Sequence, residues 1–163
     1  MFCLFSTAQA DDQKPLSNCW IEAGKRYNLD PWLLYAVAWT ESNLDPTATN
    51  GNSTTVDIGL MQINSWWLPK LKKMGIEREH LFDPCTSIHV GAWILATNFH
   101  RFGFSWKAIG AYNASTEWKQ KIYAEKVYRN YNWFTQKALE AQIKAMEKGV
   151  ELVLENPVTR RRK

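Results

Sequence analysis

Glu41 closes a run of apolar residues, and a polar loop later Asp57 leads into Gly59, Gln62 and Asn64. A carboxyl group held in apolar surroundings keeps its proton near neutral pH and can act as a general acid. With a second carboxylate nearby, that is the chemistry of glycosidic bond cleavage. One group protonates the leaving oxygen; the other stabilises positive charge on the sugar ring or attacks it. Glu41 alone would read as a helix-end carboxylate paired with Lys or Arg, and Asp57 alone as a loop residue bonding its own turn. Their company argues for a site: Ser42 beside Glu41, Gly59 for close backbone approach, and Gln62 and Asn64 as neutral hydrogen-bonding groups. Farther on, Gly110-Ala111-Tyr112-Asn113-Ala114 presents Tyr112 and Asn113 just after a helix. There the phenol could bond Glu41 or a sugar N-acetyl group.

The elements that position these groups read as mainly helical, an α+β domain with little strand. Ser17 or Asn18 caps a first helix that runs to about Tyr27, and Asn28-Leu29-Asp30-Pro31 breaks it. Asp30 caps a second helix with Pro31 at its first position, where a missing N–H does no harm. On that helix Leu34, Val37 or Ala38, and Glu41 fall three and four apart, so Glu41 extends a buried stripe. Residues 43–57 are polar, with a turn signal at Asn50-Gly51 and an extended piece at Thr54-Thr55-Val56. They read as a loop or small hairpin that carries Asp57 toward the Glu41 helix. Further helices are expected at about 65–74, 86–101, 105–112 and 117–130. Beyond Trp133, Leu139, Ile143, Met146, Val150 and Val153 step by four, three, four and three on an otherwise charged helix, which packs on its own domain or receives a partner helix. The organisation expected is a leader at 1–10, a domain at 17–134, an amphipathic helix at 135–156 and a basic tail at 157–163.

Composition bounds the function. The chain of 163 residues fits one domain with its own core. Nine tryptophans are many for this length, and indole rings either fill cores or stack on sugars and bases. The net charge of +4 comes entirely from Arg160, Arg161, Arg162 and Lys163, which leaves 16 basic and 16 acidic side chains in residues 1–159. A fold that neutralises phosphates carries its surplus on the domain, so no nucleic-acid partner is expected. Phe2-Cys3-Leu4-Phe5 followed by Ala8-Gln9-Ala10 and then Asp11-Asp12 reads as the end of a secretory leader without its positive start. Removing it leaves Cys19 and Cys85, an even pair that export favours as a disulfide over two free buried thiols. No apolar run after Ala10 is long enough to cross a membrane. His80, His89 and His100 lack partners at ligand spacing, so no metal is expected, and the chemistry proposed needs no cofactor.

Glu41-Ser42, Gly59-Leu60-Met61-Gln62-Ile63-Asn64 and Ala111-Tyr112-Asn113, in this order and spacing, resemble the lytic transglycosylases with a lysozyme-like fold. The resemblance covers roughly residues 18–131. Within the family the chain is most similar to small exported enzymes that accompany type III secretion, conjugation and type IV pili, through Cys19-Trp20, Asp83-Pro84-Cys85 and Lys70-Leu71-Lys72-Lys73. It implies cleavage of the bond between N-acetylmuramic acid and N-acetylglucosamine in peptidoglycan, in a Gram-negative periplasm, with a secretion or pilus component as a partner of the C-terminal helix. It implies Glu41 as acid and base, with Ser42, Gln62, Tyr112 and Asn113 holding substrate or positioning Glu41 and Met61 lining the cleft. It also implies that the muramic 6-hydroxyl, not water, attacks and leaves a 1,6-anhydro end. One departure stands out. Ser53 to Gly59, with Gln62-Ile63-Asn64-Ser65-Trp66-Trp67, is also similar to the animal-lysozyme loop that carries a second carboxylate, and Asp57 stands there. Hydrolysis by Glu41 and Asp57 is therefore the rival chemistry, and a noncatalytic peptidoglycan-binding assembly factor the rival class.

Overall fold

The computed structural model describes residues 18–51 and 54–155, with side chains through residue 149. The leader expected at 1–10, a cap at Ser17, the tail at 157–163 and the side chains of Val150 and Val153 lie outside the described residues. Helix α1 spans Asn18–Tyr27 and α2 spans Pro31–Ser42. Strands β1 (Thr49–Gly51), β2 (Val56–Ile58) and β3 (Ile63–Asn64) form one antiparallel sheet in that order. Helices α3 (Leu68–Lys72), α4 (Pro84–Phe102), α5 (Trp106–Asn113) and α6 (Glu117–Glu155) follow. The class is mainly α with a small sheet beside the helix that carries Glu41 in its last turn, as the sequence implied.

The stripe on α2 enters the core as its spacing required: Leu34, Ala36, Val37 and Ala38 are fully buried. Asp30 caps this helix by accepting from the Trp32 N–H at 2.8 Å, and its other oxygen accepts from Tyr131 Oη at 2.6 Å. The α2 start is thereby tied to α6. Ile58 on β2 and Ile63 on β3 are paired across the sheet and buried with Met61, Leu81, Ile88 and Leu95.

Three elements differ from the sequence reading. The helix expected at 65–74 is a 3-10 turn at Ser65–Trp67 followed by the five-residue α3. Asn64 starts that turn by capping Trp66, and Gly75 at φ +77° stops the helix beyond. A second 3-10 turn, Arg78–Phe82, was not anticipated. Finally, the helix expected over 117–130 runs unbroken to Glu155, because no Gly or Pro interrupts residues 117–148. Beyond Phe134 it leaves the domain. Every residue from Leu139 to Gly149 is exposed, including Leu139, Ile143 and Met146.

Cys19 and Cys85 are joined, linking α1 to the first turn of α4 across 66 residues. Closing a loop of that length stabilises the fold by about 4 kcal/mol in the chain-entropy model. Reduction is expected to lower the denaturant midpoint by a corresponding amount; an unchanged midpoint would remove that role.

Candidate active site

The end of α2 sets the site. Asn43 and Leu44 both take left-handed backbone, φ 56° and 65°, and the Asn43 N–H closes the helix on the Trp39 carbonyl. The chain turns away sharply, and Glu41 remains in the last turn, facing inward. Ser42 Oγ donates to the Leu60 carbonyl at 2.7 Å, fastening the helix end to the loop between β2 and β3. Tyr123 Oη, from α6, donates to Glu41 Oε1 at 2.6 Å. Burial raises the Glu41 carboxyl to about 7; the Tyr123 bond opposes that shift and the negative charge of Asp57 adds to it. At neutral pH both protonation states are populated, as one group acting first as acid and then as base requires.

The loop from Gly59 to Gln62 is built tightly. Gly59 has φ +71°, donates its N–H to the Ala48 carbonyl at 2.8 Å, and lies so close to the Leu81 carbonyl that a Cβ would collide with it. Gln62, at φ 47°, is buried. Its Nε2 donates to the carbonyls of Gly59 and Ala48, and its Oε1 accepts from Asn50 Nδ2 at 2.8 Å. Gln62 thus braces the hairpin that carries Asp57. The Met61 side chain is fully buried against Gly91 rather than exposed along a cleft. Met61 serves the site through its backbone: its N–H donates to Ser87 Oγ at 3.1 Å, and its carbonyl accepts from Tyr112 Oη at 2.9 Å.

Tyr112 is therefore not bonded to Glu41. Tyr123 holds that place, and the two rings lie nearly parallel with centroids 6.5 Å apart. Both phenols are pushed well above their ordinary value, first by burial and then by the Glu41 charge, so both remain donors. Asp57, in the middle of β2, is paired in register with Asn64 and accepts from Asn64 Nδ2 at 2.7 Å. Its charge bears on Glu41 and Tyr112 alike. Asn64 Oδ1 accepts from the Trp66 N–H at 2.9 Å, so a single side chain positions the second carboxylate and the start of the Trp66 turn.

Beside this cluster opens a cavity of about 660 Å³, lined among others by Asn64, Trp66, Asn98, Arg101, Tyr112 and Asn113. That volume lies within the usual range for ligand sites. Trp66 is 70% exposed on this cavity, which leaves its indole accessible for stacking on a sugar ring. Asn113, at the end of α5, is exposed on the same wall. Among the described residues no cluster of His, Cys, Asp or Glu could hold a metal, and no helix is long and apolar enough to cross a membrane.

Sequence reasoning missed Tyr123 and the rest of the α6 clamp. Asn130 Nδ2 donates to Thr40 Oγ1 at 2.9 Å, and Phe134 packs edge-on against Tyr35 and Trp39. The signal was limited to the buried stripe of Gln120, Tyr123 and Val127. Tyr123→Phe removes the bond that lowers the Glu41 pKa, so the carboxyl titrates above about 7. The expected result is an alkaline limb of the kcat/KM profile moved to higher pH, with a rate reduced about tenfold by loss of a charge-assisted bond. An unmoved limb would detach Tyr123 from the chemistry.

A buried acid at a helix end, a small antiparallel sheet holding a second carboxylate, and a cavity beside them define a lysozyme-like glycan-cleaving enzyme. The transglycosylase SLT domain matches residues 18–133, and the chain belongs to that family, as a peptidoglycan lytic transglycosylase. It is 44% identical over 140 residues to the invasion protein IagB of Salmonella typhi, an alignment spanning 82% of this chain and 88% of that protein. It is 41% identical over 121 residues to protein IpgF of Shigella flexneri, spanning 71% of this chain and 80% of that one. Its fold is similar to that of an inactive mutant of the lytic transglycosylase Slt from Pseudomonas aeruginosa, with a TM-score of 0.64 and 21% identity. That match covers 78% of this chain and 25% of the much longer Slt chain.

Proposed function

We propose that the protein cleaves the β-1,4 bond between N-acetylmuramic acid and N-acetylglucosamine and leaves 1,6-anhydro-muramic ends. The observation that carries this is the Glu41 carboxyl, raised by burial to about 7 and held by Tyr123. Protonated Glu41 gives its proton to the glycosidic oxygen as the bond to the anomeric carbon breaks. Positive charge on the muramic ring is met by the Asp57 carboxylate, which Asn64 orients. Glu41, now a carboxylate, takes the proton of the muramic 6-hydroxyl while that oxygen closes on the anomeric carbon. Glu41 returns to its acid form, no water is consumed, and no other group need change protonation state.

The Asp57 charge felt at Glu41 favours a second reading, hydrolysis, in which water takes the place of the 6-hydroxyl. Mass spectrometry of soluble fragments from purified peptidoglycan separates the two, since an anhydro end is one water lighter than a reducing end. Anhydro ends are the expected result. Reducing ends bearing oxygen from labelled water would overturn it in favour of hydrolysis. No fragments from the oxidised, folded protein would overturn both and leave the noncatalytic reading.

In the cell we read this activity as local opening of the wall for a secretion, conjugation or pilus apparatus in the periplasm. The 44% identity to a protein named for invasion supports that reading. So does the exposed line of Leu139, Ile143 and Met146 on α6, which is offered to an apparatus component. Unimpaired assembly of the apparatus after all three are changed to Ser would remove the docking role.

A further inference from the structure

Two residues on the α4 wall of the cavity have no part in the chemistry above. Asn98 and Arg101 are three apart on one helix and so share a face, and both line the cavity. Asn98 Nδ2 is buried and has no hydrogen-bond partner. A buried donor left unpaired is costly, and turning this amide toward the cavity that Asn98 lines presents the donor to an arriving acceptor and removes that cost. Arg101 is exposed, and its guanidinium sits 4.9 Å over the Phe102 ring. The ion pairs among the described residues, Lys72 with Glu77 and Lys137 with Glu140, do not include it. It is also the one charged residue in the cavity lining. A cationic fork beside an unpaired amide donor, with no acidic residue in the same lining, is a receptor for an anionic oxygen group.

A chain of N-acetylglucosamine alone carries no such group. Peptidoglycan does: every second sugar bears a lactyl branch that ends in a carboxylate, or in a peptide stem with carboxylates of its own. We propose that Arg101 and Asn98 receive the carboxylate of this branch and make the cavity selective for peptidoglycan over an uncharged β-1,4 glycan. The inference rests on reading the cavity as the glycan site. It concerns binding, so it can be tested apart from cleavage.

The test uses Glu41→Gln protein, so that ligands survive, and tryptophan fluorescence as the readout. Three tetrasaccharides are compared: chitotetraose, a peptide-free GlcNAc–MurNAc dimer of disaccharides, and the same chain with peptide stems. The expected result is at least about tenfold tighter binding of a branched ligand than of chitotetraose, as a charge-assisted pair provides. That preference should shrink at high salt and disappear in Arg101→Ala, while the chitotetraose Kd stays constant. Asn98→Asp, which sets a negative charge beside the branch, should abolish the preference as well. Preference for the peptide-free ligand assigns the lactyl carboxylate, and preference confined to the stemmed ligand assigns a stem carboxylate. Equal binding of all three ligands, or a preference that persists in Arg101→Ala, overturns the inference and leaves the glycan cavity intact. If none binds, the glycan reading of the cavity falls, and this inference with it. Arg101 is exposed, so its substitution should fold, which an unchanged thermal midpoint would verify.

Discussion

Replacing Glu41 with Gln is expected to slow release of wall fragments about a thousandfold while the fold stays intact. General acid–base catalysis contributes about 10²–10⁴ in rate, and in the mechanism proposed one group performs both halves of it. Gln can still accept from Tyr123, so the hydrogen bond at the end of α2 survives and only the transferable proton is lost. A second consequence distinguishes this substitution from ordinary damage. The folded protein holds the Glu41 proton up to about pH 7, whereas the unfolded chain releases it near 4.5. Stability is therefore full below the unfolded value and falls as pH rises through that window. The loss reaches roughly 3 kcal/mol above the folded value. Glu41→Gln escapes it, so its melting temperature should exceed that of the parent at pH 8 and match it near pH 4. Substantial remaining activity, measured by fragment release, would sink the assignment.

Asp57→Asn is expected to cost less, about ten- to a hundredfold in kcat, with KM little changed. The substitution keeps an oxygen for Asn64 and the register of β2 with β3, so the hairpin should stand. In the mechanism proposed, what disappears is the negative charge that meets positive charge developing on the ring, an electrostatic contribution realised in the transition state. The pH profile gives an independent sign. The Asp57 charge raises the Glu41 pKa, so its removal lets that carboxyl ionise at lower pH. The alkaline limb should move down, opposite to its movement in Tyr123→Phe. An unchanged rate and limb would reduce Asp57 to a turn residue.

The sequence revealed the acid but not what holds it. Glu41 could be found because a helix has a fixed period, and Leu34, Val37 and Ala38 place its position on the buried side. The caps at Asp30-Pro31 and Asp83-Pro84 are equally local, and the second begins α4 two residues ahead of the expected 86. Tyr123 lies 82 residues from Glu41, and the bond between them depends on how α6 crosses α2. No spacing within either helix encodes that angle. The same limit explains Tyr112, for which the sequence suggested Glu41 or a sugar N-acetyl group as partner; the Met61 carbonyl that it bonds is 51 residues away. Gln62 and Met61 show a different limit. The family resemblance implied that Gln62 holds substrate or positions Glu41 and that Met61 lines the cleft, but the left-handed turn at Gly59 and Gln62 directs both side chains into the protein.

Helix α6 is one unbroken rod, and this has a mechanical consequence. Its first half grips the Glu41 helix through Tyr123, Asn130, Tyr131 and Phe134. Its second half extends past Phe134 for about 30 Å at 1.5 Å per residue. With no Gly or Pro from residue 117 to 148, most of this span lacks a hinge that would absorb a bend. A tug on the projecting arm acts as torque on the clamp that holds the 2.6 Å contact between Tyr123 and Glu41. Whatever grips the arm also has a hand on the acid.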